Sequence, residues 1–384
     1  MRRLLVNKIP LLDLVSQYKT IQLEIEKAVL AVLASGAYIG GETVRSFERM
    51  FADYVGVSEC VACNSGTDAL YLALRALQIG SGDEVITTPF TFFATAEVIS
   101  AVGATPVFVD INPHTFNMDV TKIEDAITDR TRAVLPVHLF GQPVDMFALM
   151  QTARSHNLYV VEDCAQSAGA VWANQSVGSI GHIGCFSFYP TKNLGGCGDG
   201  GAITTNDPHL AAKVRMLQEH GSKTRYYHEE IGVNSRLDAL QAAILQIKLK
   251  YLPDWNYHRT IAANRYQQQL EHISGIVLPE VLKKGQSVWN QYTIRVTESM
   301  VTGQGNHRDH VRHFLLNHGV GSMIYYPLPL HLQSVYQSLG YGTGHFPIAE
   351  QVCREVISLP MFPELTEEQQ QKVAFYLNEA LVSG

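Results

Sequence analysis

The chain has 384 residues, 46% of them hydrophobic and 17% charged, the balance of a soluble globular enzyme with room for one large domain and a smaller one. A net charge of −7 with no basic block excludes a nucleic-acid scaffold, which depends on counterion release. Six cysteines are too sparse for a disulfide framework, and no apolar run is long enough to span a bilayer, so the expectation is a reduced, cytoplasmic protein with no membrane partner.

The opening MRRLLVNKIPLLDLV begins like a secretory leader, but Asn7, Lys8 and Pro10 interrupt the apolar run before it reaches the length a leader needs. Two helical patterns follow, SQYKTIQLEIEKAVLAVLASG ending at Gly36 and GETVRSFERMFADYVG ending at Gly56, each closed by the glycine expected at a helix C-terminus. Strand-like runs then alternate with helices: CVACN, EVITT, TPVFVD, TRAVLPVH, LYVVED, IGCFSF and GAITT. Such alternation predicts parallel β-α-β units, an α/β fold with helices on both faces of a seven-stranded, mostly parallel sheet. The last two runs have no helix between them, so one of them is expected to run antiparallel. An all-helical stretch is expected from about Asp207 to Ile273, and a smaller α/β domain after it. The division is placed at 1–255 for the large domain and 256–384 for the small one.

Cys60 and Cys63 form a C-x-x-C, but on a strand whose alternation turns the two thiols in opposite directions, and no second pair completes a zinc site. They read as core cysteines, and no metal is expected.

Ligands in open α/β sheets sit beyond the carboxyl ends of the strands, so the residues there carry the functional reading. After the first strand, Ser65, Gly66 and Thr67 lead into a helix whose free N–H groups suit an anion, although Ser65 as a simple cap explains the stretch equally well. After the second come Phe92 and Phe93, either of which offers a plate for a planar ring or a core side chain. Asp163 ends an apolar strand, an expensive place for a carboxylate without partners, with Gln166 three residues on. An N-cap is the plain alternative for Asp163. Last comes FSFYPTKNLGGCGDGGAITT, with Ser187, Tyr189 and a lone lysine, Lys192, at the turn. Anion site, plate, buried acid and lysine at successive strand ends have one joint explanation, pyridoxal 5′-phosphate.

With NSGTDALYLAL, PVHLFGQPVDM, VVEDCAQSAGA, NSRLDALQAAIL and YYPLPLHLQ added, the chain resembles the fold-type-I pyridoxal-phosphate enzymes. Within them it is similar to the sugar-nucleotide aminotransferases of the DegT/StrS group, most of all those that aminate 3-keto sugars. The resemblance implies that Lys192 holds the cofactor as a Schiff base and later shuttles the proton. It further implies that Asp163 pairs with the pyridinium nitrogen, Gln166 bonds the ring hydroxyl and Phe92 stacks on the ring, with Gly66, Thr67 and Ser187 holding the phosphate. Asn234 would reach that phosphate from a neighbouring subunit, making a homodimer with shared sites; alternatively, Ser235-x-x-Asp238 is a capping-box pattern and Asn234 merely precedes a helix. Tyr189 and His331 are candidate substrate walls, with His331 reading equally well as a structural histidine.

The implied reaction takes the amine of glutamate, leaving 2-oxoglutarate and pyridoxamine 5′-phosphate, and passes it to a keto-sugar nucleotide. The expected substrate is a dTDP-3-keto-6-deoxyhexose, a reading supported by Asp199 among the glycines. The alternatives are a UDP-linked 3-keto-N-acetylhexosamine or its uronate, a 4-keto sugar, or a non-catalytic regulatory binding protein on the same fold. The family's dehydratases carry histidine in place of the lysine, and its iron–sulfur branch needs a cysteine cluster that this chain lacks.

Overall fold

Asp13 starts the first helix by accepting the Ser16 amide at 2.9 Å, and α1 (Leu14–Ser35) stops where Gly36 turns left-handed at φ 68°. The second helix, α2 (Gly41–Val55), ends the same way at Gly56, φ 82°. A residue with a side chain would be strained at either position, which is why the sequence punctuates both helices with glycine. The structure, a computed structural model, describes residues 8–297 and 307–383. Residues 1–7, the start of the interrupted leader-like run, lie outside the described residues. No helix among the described residues is long and apolar enough to cross a membrane.

All seven strand-like runs become strands of one sheet: β1 (Glu59–Cys63), β2 (Glu84–Thr87), β3 (Thr105–Phe108), β4 (Thr131–Val134), β5 (Tyr159–Asp163), β6 (Ile183–Ser187) and β7 (Gly201–Thr205). Their order is β1-β7-β6-β5-β4-β2-β3. The pairs from β6 across to β3 are parallel, and β7 runs antiparallel to both β6 and β1. The reversal falls where the sequence offers a glycine-rich turn in place of a crossover helix. Helices α3 (Gly66–Ala76), α4 (Ala94–Ala101) and α5 (Met146–Ser155) connect β1 to β2, β2 to β3 and β4 to β5, whereas β3 reaches β4 through short 3-10 turns and β5 reaches β6 through a ribbon of Val171–Trp172 and Gln175–Ser176.

Side chains alternate through the sheet into two cores. Cys60, Ala62, Phe186 and Ala202 join one with α2, while Val61, Cys63, Cys185 and Ile203 join the other with α3. Cys60 and Cys63 therefore point to opposite faces, and burial holds both thiols above their ordinary pKa, so they are inert core residues.

One expectation needs correction. The stretch from Asp207 to Ile273 is not all helical: α6 (Pro208–Leu217) is followed by a hairpin pairing Ser222–Thr224 with Tyr227–His228, and only then by α7 (Ala239–Leu270). The break falls at His220 and Gly221, both at positive φ, where helix cannot continue. Helix α7 runs unbroken past residue 255. Its first half packs in the core with α2, and Ala262, Ala263, Tyr266 and Leu270 pack in a third core. That core lies on a small antiparallel sheet of Ile276–Val277, β8 (Tyr292–Val296) and β9 (Val356–Leu359), flanked by α8 (His307–Asn317) and α10 (Glu367–Val382), with α9 (Pro347–Glu355) leading into β9. Ile9 pairs with Val320 and enters the same core, so the start of the described chain is built into the small layer.

Candidate active site

A cavity of about 580 Å³ opens beyond the carboxyl ends of β1, β2, β5 and β6. Seven of the expected residues line it: Gly66, Thr67, Phe92, Asp163, Gln166, Ser187 and Lys192. Tyr189 lines it as well, together with Asp199 from the glycine-rich turn.

At the end of β1, Ser65 caps α3. Its Oγ accepts the Asp68 amide at 3.1 Å and its carbonyl accepts the Ala69 amide at 3.0 Å. Helix geometry leaves four first-turn amides without intrahelical partners, so those of Gly66 and Thr67 remain, at the cavity edge and at the positive end of the helix dipole. Capping and an anion-receiving end therefore coexist here. Gly66 lies so close to Ser187 that a Cβ on it would fall 2.6 Å from the serine Cβ.

Beyond β2 the two phenylalanines separate. Phe92 is exposed along the cavity, whereas Phe93 turns into the core beside Tyr336. In the first turn of α4, Thr95 donates its hydroxyl to Asp163 Oδ2 at 2.9 Å, and Asp163 Oδ1 accepts the Ala165 amide at 3.1 Å. No helix follows Asp163, so it is not an N-cap. Burial pushes its carboxyl pKa up; the Ala165 amide, the Thr95 hydroxyl, Lys192 and His138 pull it back down. Behind it, Glu162 accepts from the amides of Gly178, Ile180 and Gly181 and meets His138 Nε2 at 3.0 Å, fixing the strand end on which Asp163 sits.

Lys192 follows β6 on a turn closed by its own amide donating to the Tyr189 carbonyl at 2.9 Å. It keeps some surface because it faces the cavity, but its ammonium lies deep. Burial lowers its pKa to about 8 against the opposing attraction of Asp163. The next residue anchors the turn: Asn193 Nδ2 donates to Asn256 Oδ1 at 2.7 Å and to the Val288 carbonyl at 2.9 Å, and Asn193 Oδ1 accepts from Asn290 Nδ2 at 2.8 Å. Three buried amides thus tie the lysine turn to α7 and to the segment entering the small sheet. Gln166 is held from both sides, accepting the Phe140 amide at 2.7 Å and donating to the Tyr326 hydroxyl at 3.3 Å.

Two expected residues lie elsewhere. His331 is fully buried and lines no part of the cavity; its Nε2 meets Glu350 Oε1 at 3.1 Å and its ring packs on Phe346. It is a core histidine, whose pKa burial lowers. Asn234 is exposed on the surface of the single chain, bridged to Glu219. The capping box expected after it does not form. Ser235 Oγ instead donates to Asp68 Oδ2 at 2.7 Å and accepts the Asn64 amide, and Asp238 caps α7 without a side-chain bond. Sequence reading missed Thr95, Tyr326 as the partner of Gln166, and Gln291, which also lines the cavity. A hydroxyl in the apolar first turn of α4 was the one signal available for Thr95.

The residues fit pyridoxal phosphate: an anion-receiving helix end, an exposed aromatic ring, a buried carboxylate already supplied with donors, and a lysine of lowered pKa, all in one cavity. Fold and site together define a pyridoxal-phosphate-dependent transaminase. The profile of the DegT/DnrJ/EryC1/StrS aminotransferase family matches residues 19–378, and the chain belongs to that family. It is 47% identical, over 95% of its length and 96% of the relative's, to a pleiotropic regulatory protein of Geobacillus stearothermophilus. It is 45% identical to the UDP-N-acetyl-3-dehydro-α-D-glucosamine 3-aminotransferase of Acidithiobacillus ferrooxidans, with 97% and 98% of the two chains covered. It is also 45% identical to the dTDP-3-amino-3,6-dideoxy-α-D-galactopyranose transaminase of Aneurinibacillus thermoaerophilus, covering 96% and 99%. The crystal structure of DesV from S. venezuelae superposes with a TM-score of 0.92 at 42% identity, over 97% of this chain and 98% of that one. The chain is accordingly a sugar-nucleotide aminotransferase, one that transaminates keto-sugar nucleotides.

Proposed function

We propose that the enzyme transfers the amine of glutamate to the C-3 carbonyl of a nucleotide-linked sugar, with a dTDP-3-keto-6-deoxyhexose as substrate. The observation that carries the reading is the joint one: Lys192 and Asp163 share a cavity, and the two enzymes at 45% identity that are named for a sugar both place the amine at position 3. The nucleotide differs between those relatives, so a UDP-linked 3-keto-N-acetylhexosamine is the second reading.

Bound pyridoxal phosphate supplies the electron sink that lets an amine leave one carbon and join another. Lys192, its pKa lowered to about 8, keeps a neutral fraction at neutral pH, so it would hold the cofactor through its aldehyde and act as the base for the α-proton. Asp163 would pair with the ring nitrogen, and the donors around it favour its ionised form against burial. Gln166 would bond the ring hydroxyl, Phe92 would offer its ring as the plate for the cofactor, and Gly66, Thr67 and Ser187 would receive the phosphate. Asn234 reaches the phosphate of a second subunit, so the working enzyme is a homodimer with shared sites. Its place is in the cytoplasm.

The regulatory name of one relative keeps a non-catalytic reading in view, and colour separates the two. Enzyme loaded with pyridoxal phosphate is expected to be yellow and to bleach with glutamate. A panel of 3-keto and 4-keto sugar nucleotides, with amine formation read by mass spectrometry, tests the substrate. Amination of 4-keto sugars alone overturns the regiochemistry, and a protein that takes up no cofactor overturns the enzyme.

A further inference from the structure

Gln291 stands immediately before β8, and its backbone is fixed there: Tyr292 pairs with Leu359 in the small sheet. Its neighbour Asn290 reaches Asn193 Oδ1 and, at 3.5 Å, the Thr191 carbonyl, the two residues flanking Lys192. Gln291 therefore lies beside the lysine turn, and it lines the cavity with Thr191 and Tyr325. Among the described residues its side-chain amide has no hydrogen-bond partner: Oε1 is buried without a donor, and Nε2 keeps accessible surface and is the end a ligand can reach. A buried polar atom left unpaired costs about 1–3 kcal/mol, and native structures rarely leave one without a reason.

The surroundings say what the partner is. The wall around Gln291 is neutral and rich in tyrosine, with Tyr189, Tyr325 and Tyr326 close along the same cavity, and Lys192 is the one cation among the cavity's lining residues. The carboxylates of an amino donor call for an arginine or lysine. A sugar hydroxyl both donates and accepts, matching an amide that does both, and the C–H faces of a pyranose suit tyrosine rings.

We infer that Gln291 recognises the sugar, its amide hydrogen-bonding a ring hydroxyl next to the carbon that exchanges its amine at Lys192. The inference rests on the reading of the substrate as a 3-keto sugar nucleotide and assigns one residue to its selection.

Both half-reactions can be started from the yellow enzyme and followed by bleaching, one with glutamate and one with a dTDP-3-amino-3,6-dideoxyhexose. Gln291→Met keeps length and removes the amide; Gln291→Leu is the second variant should the first fold poorly. In either, bleaching by the amino sugar is expected to slow at least about tenfold more than bleaching by glutamate, the loss of about one hydrogen bond. Calorimetric binding of the same amino sugar nucleotide to the Lys192→Ala protein should weaken by a similar factor when Gln291→Met is added. Equal slowing of the two half-reactions, or no change in their ratio, overturns the inference. Wild type that bleaches with glutamate and not with the amino sugar overturns the substrate reading instead.

Discussion

The hydroxyl of Thr95 donates to Asp163 Oδ2 over 2.9 Å, joining the first turn of α4 to the end of β5. Asp163 is buried, which by itself favours the neutral acid, and a neutral acid does not hold the cofactor nitrogen protonated. Thr95 is one of the few groups that oppose this.

Thr95→Val keeps the shape and removes the donor, so the Asp163 pKa should rise further. A carboxylate works above its pKa, so the acid limb of the pH–rate profile should move to higher pH, with activity lost most at low pH and recovered as pH rises. A charge-assisted hydrogen bond is worth about 1.5–3 kcal/mol, so roughly a tenfold loss on the acid side is the expected scale. An unmoved limb would mean that Thr95 only packs.

Lys192 makes the opposite kind of contribution. Its folded pKa, about 8, lies below the ordinary 10.5, so between those values the unfolded chain binds more protons than the folded one. Stability of the cofactor-free protein should therefore rise with pH across that window. Lys192→Met should abolish transamination, yet raise the melting temperature of the cofactor-free protein near pH 7, with the gain shrinking from pH 8 to 10.5. A variant that melts lower at pH 7 and shows the wild-type pH slope would refute the buried-amine account.

Gly66→Ala tests the phosphate end. The new Cβ meets Ser187 Cβ at 2.6 Å, so either α3 or β6 must shift. Overpacking of this kind costs about 1–3 kcal/mol, and it displaces the two groups expected to hold the phosphate together. The variant should melt lower and hold pyridoxal phosphate more weakly in equilibrium dialysis. Wild-type cofactor affinity would remove Gly66 from the phosphate site.

How much of this could be read from the chain follows from where each residue's partners lie. The seven strands were legible because each is an apolar run between helical patterns, and the strand-end residues were legible because the parallel sheet brings its carboxyl ends together whatever the loops do. That rule brought Lys192, Asp163 and the Phe92–Phe93 pair to one edge, and the family resemblance chose Phe92 between the two rings. Asp163's partner Thr95 lies 68 residues away, and Gln166 meets Tyr326 across 160, so no local pattern announces either. His331 stayed open between wall and core for the same reason: tyrosines beside it suggested a binding wall, but Glu350, on another helix, holds it in the core. Residues 218–238 fell inside the stretch read as all helical, whereas positive φ at His220 and Gly221 breaks the chain direction there.

That same misread segment carries the final prediction. In the single chain, Asn234 is exposed beside a hairpin that presents Tyr226, Tyr227 and Ile231 to solvent, each more than 70% exposed. Large apolar side chains clustered on one surface loop mark an interaction surface, and a second copy that covers them would bring Asn234 toward the cavity of its neighbour. Each site of the homodimer would then take Lys192 from one subunit and Asn234 from the other. Lys192→Ala and Asn234→Ala are each expected to be crippled alone, the second through weakened phosphate binding. Mixed and allowed to exchange subunits, they should regain up to about a quarter of wild-type activity, since half of a random mixture is hybrid and each hybrid has one intact site. The readout is glutamate-dependent amination of the sugar nucleotide, with light scattering to establish the dimer. A monomer in solution, or a dimer whose mixed variants recover nothing, would confine the site to a single chain and leave Asn234 without a role in it.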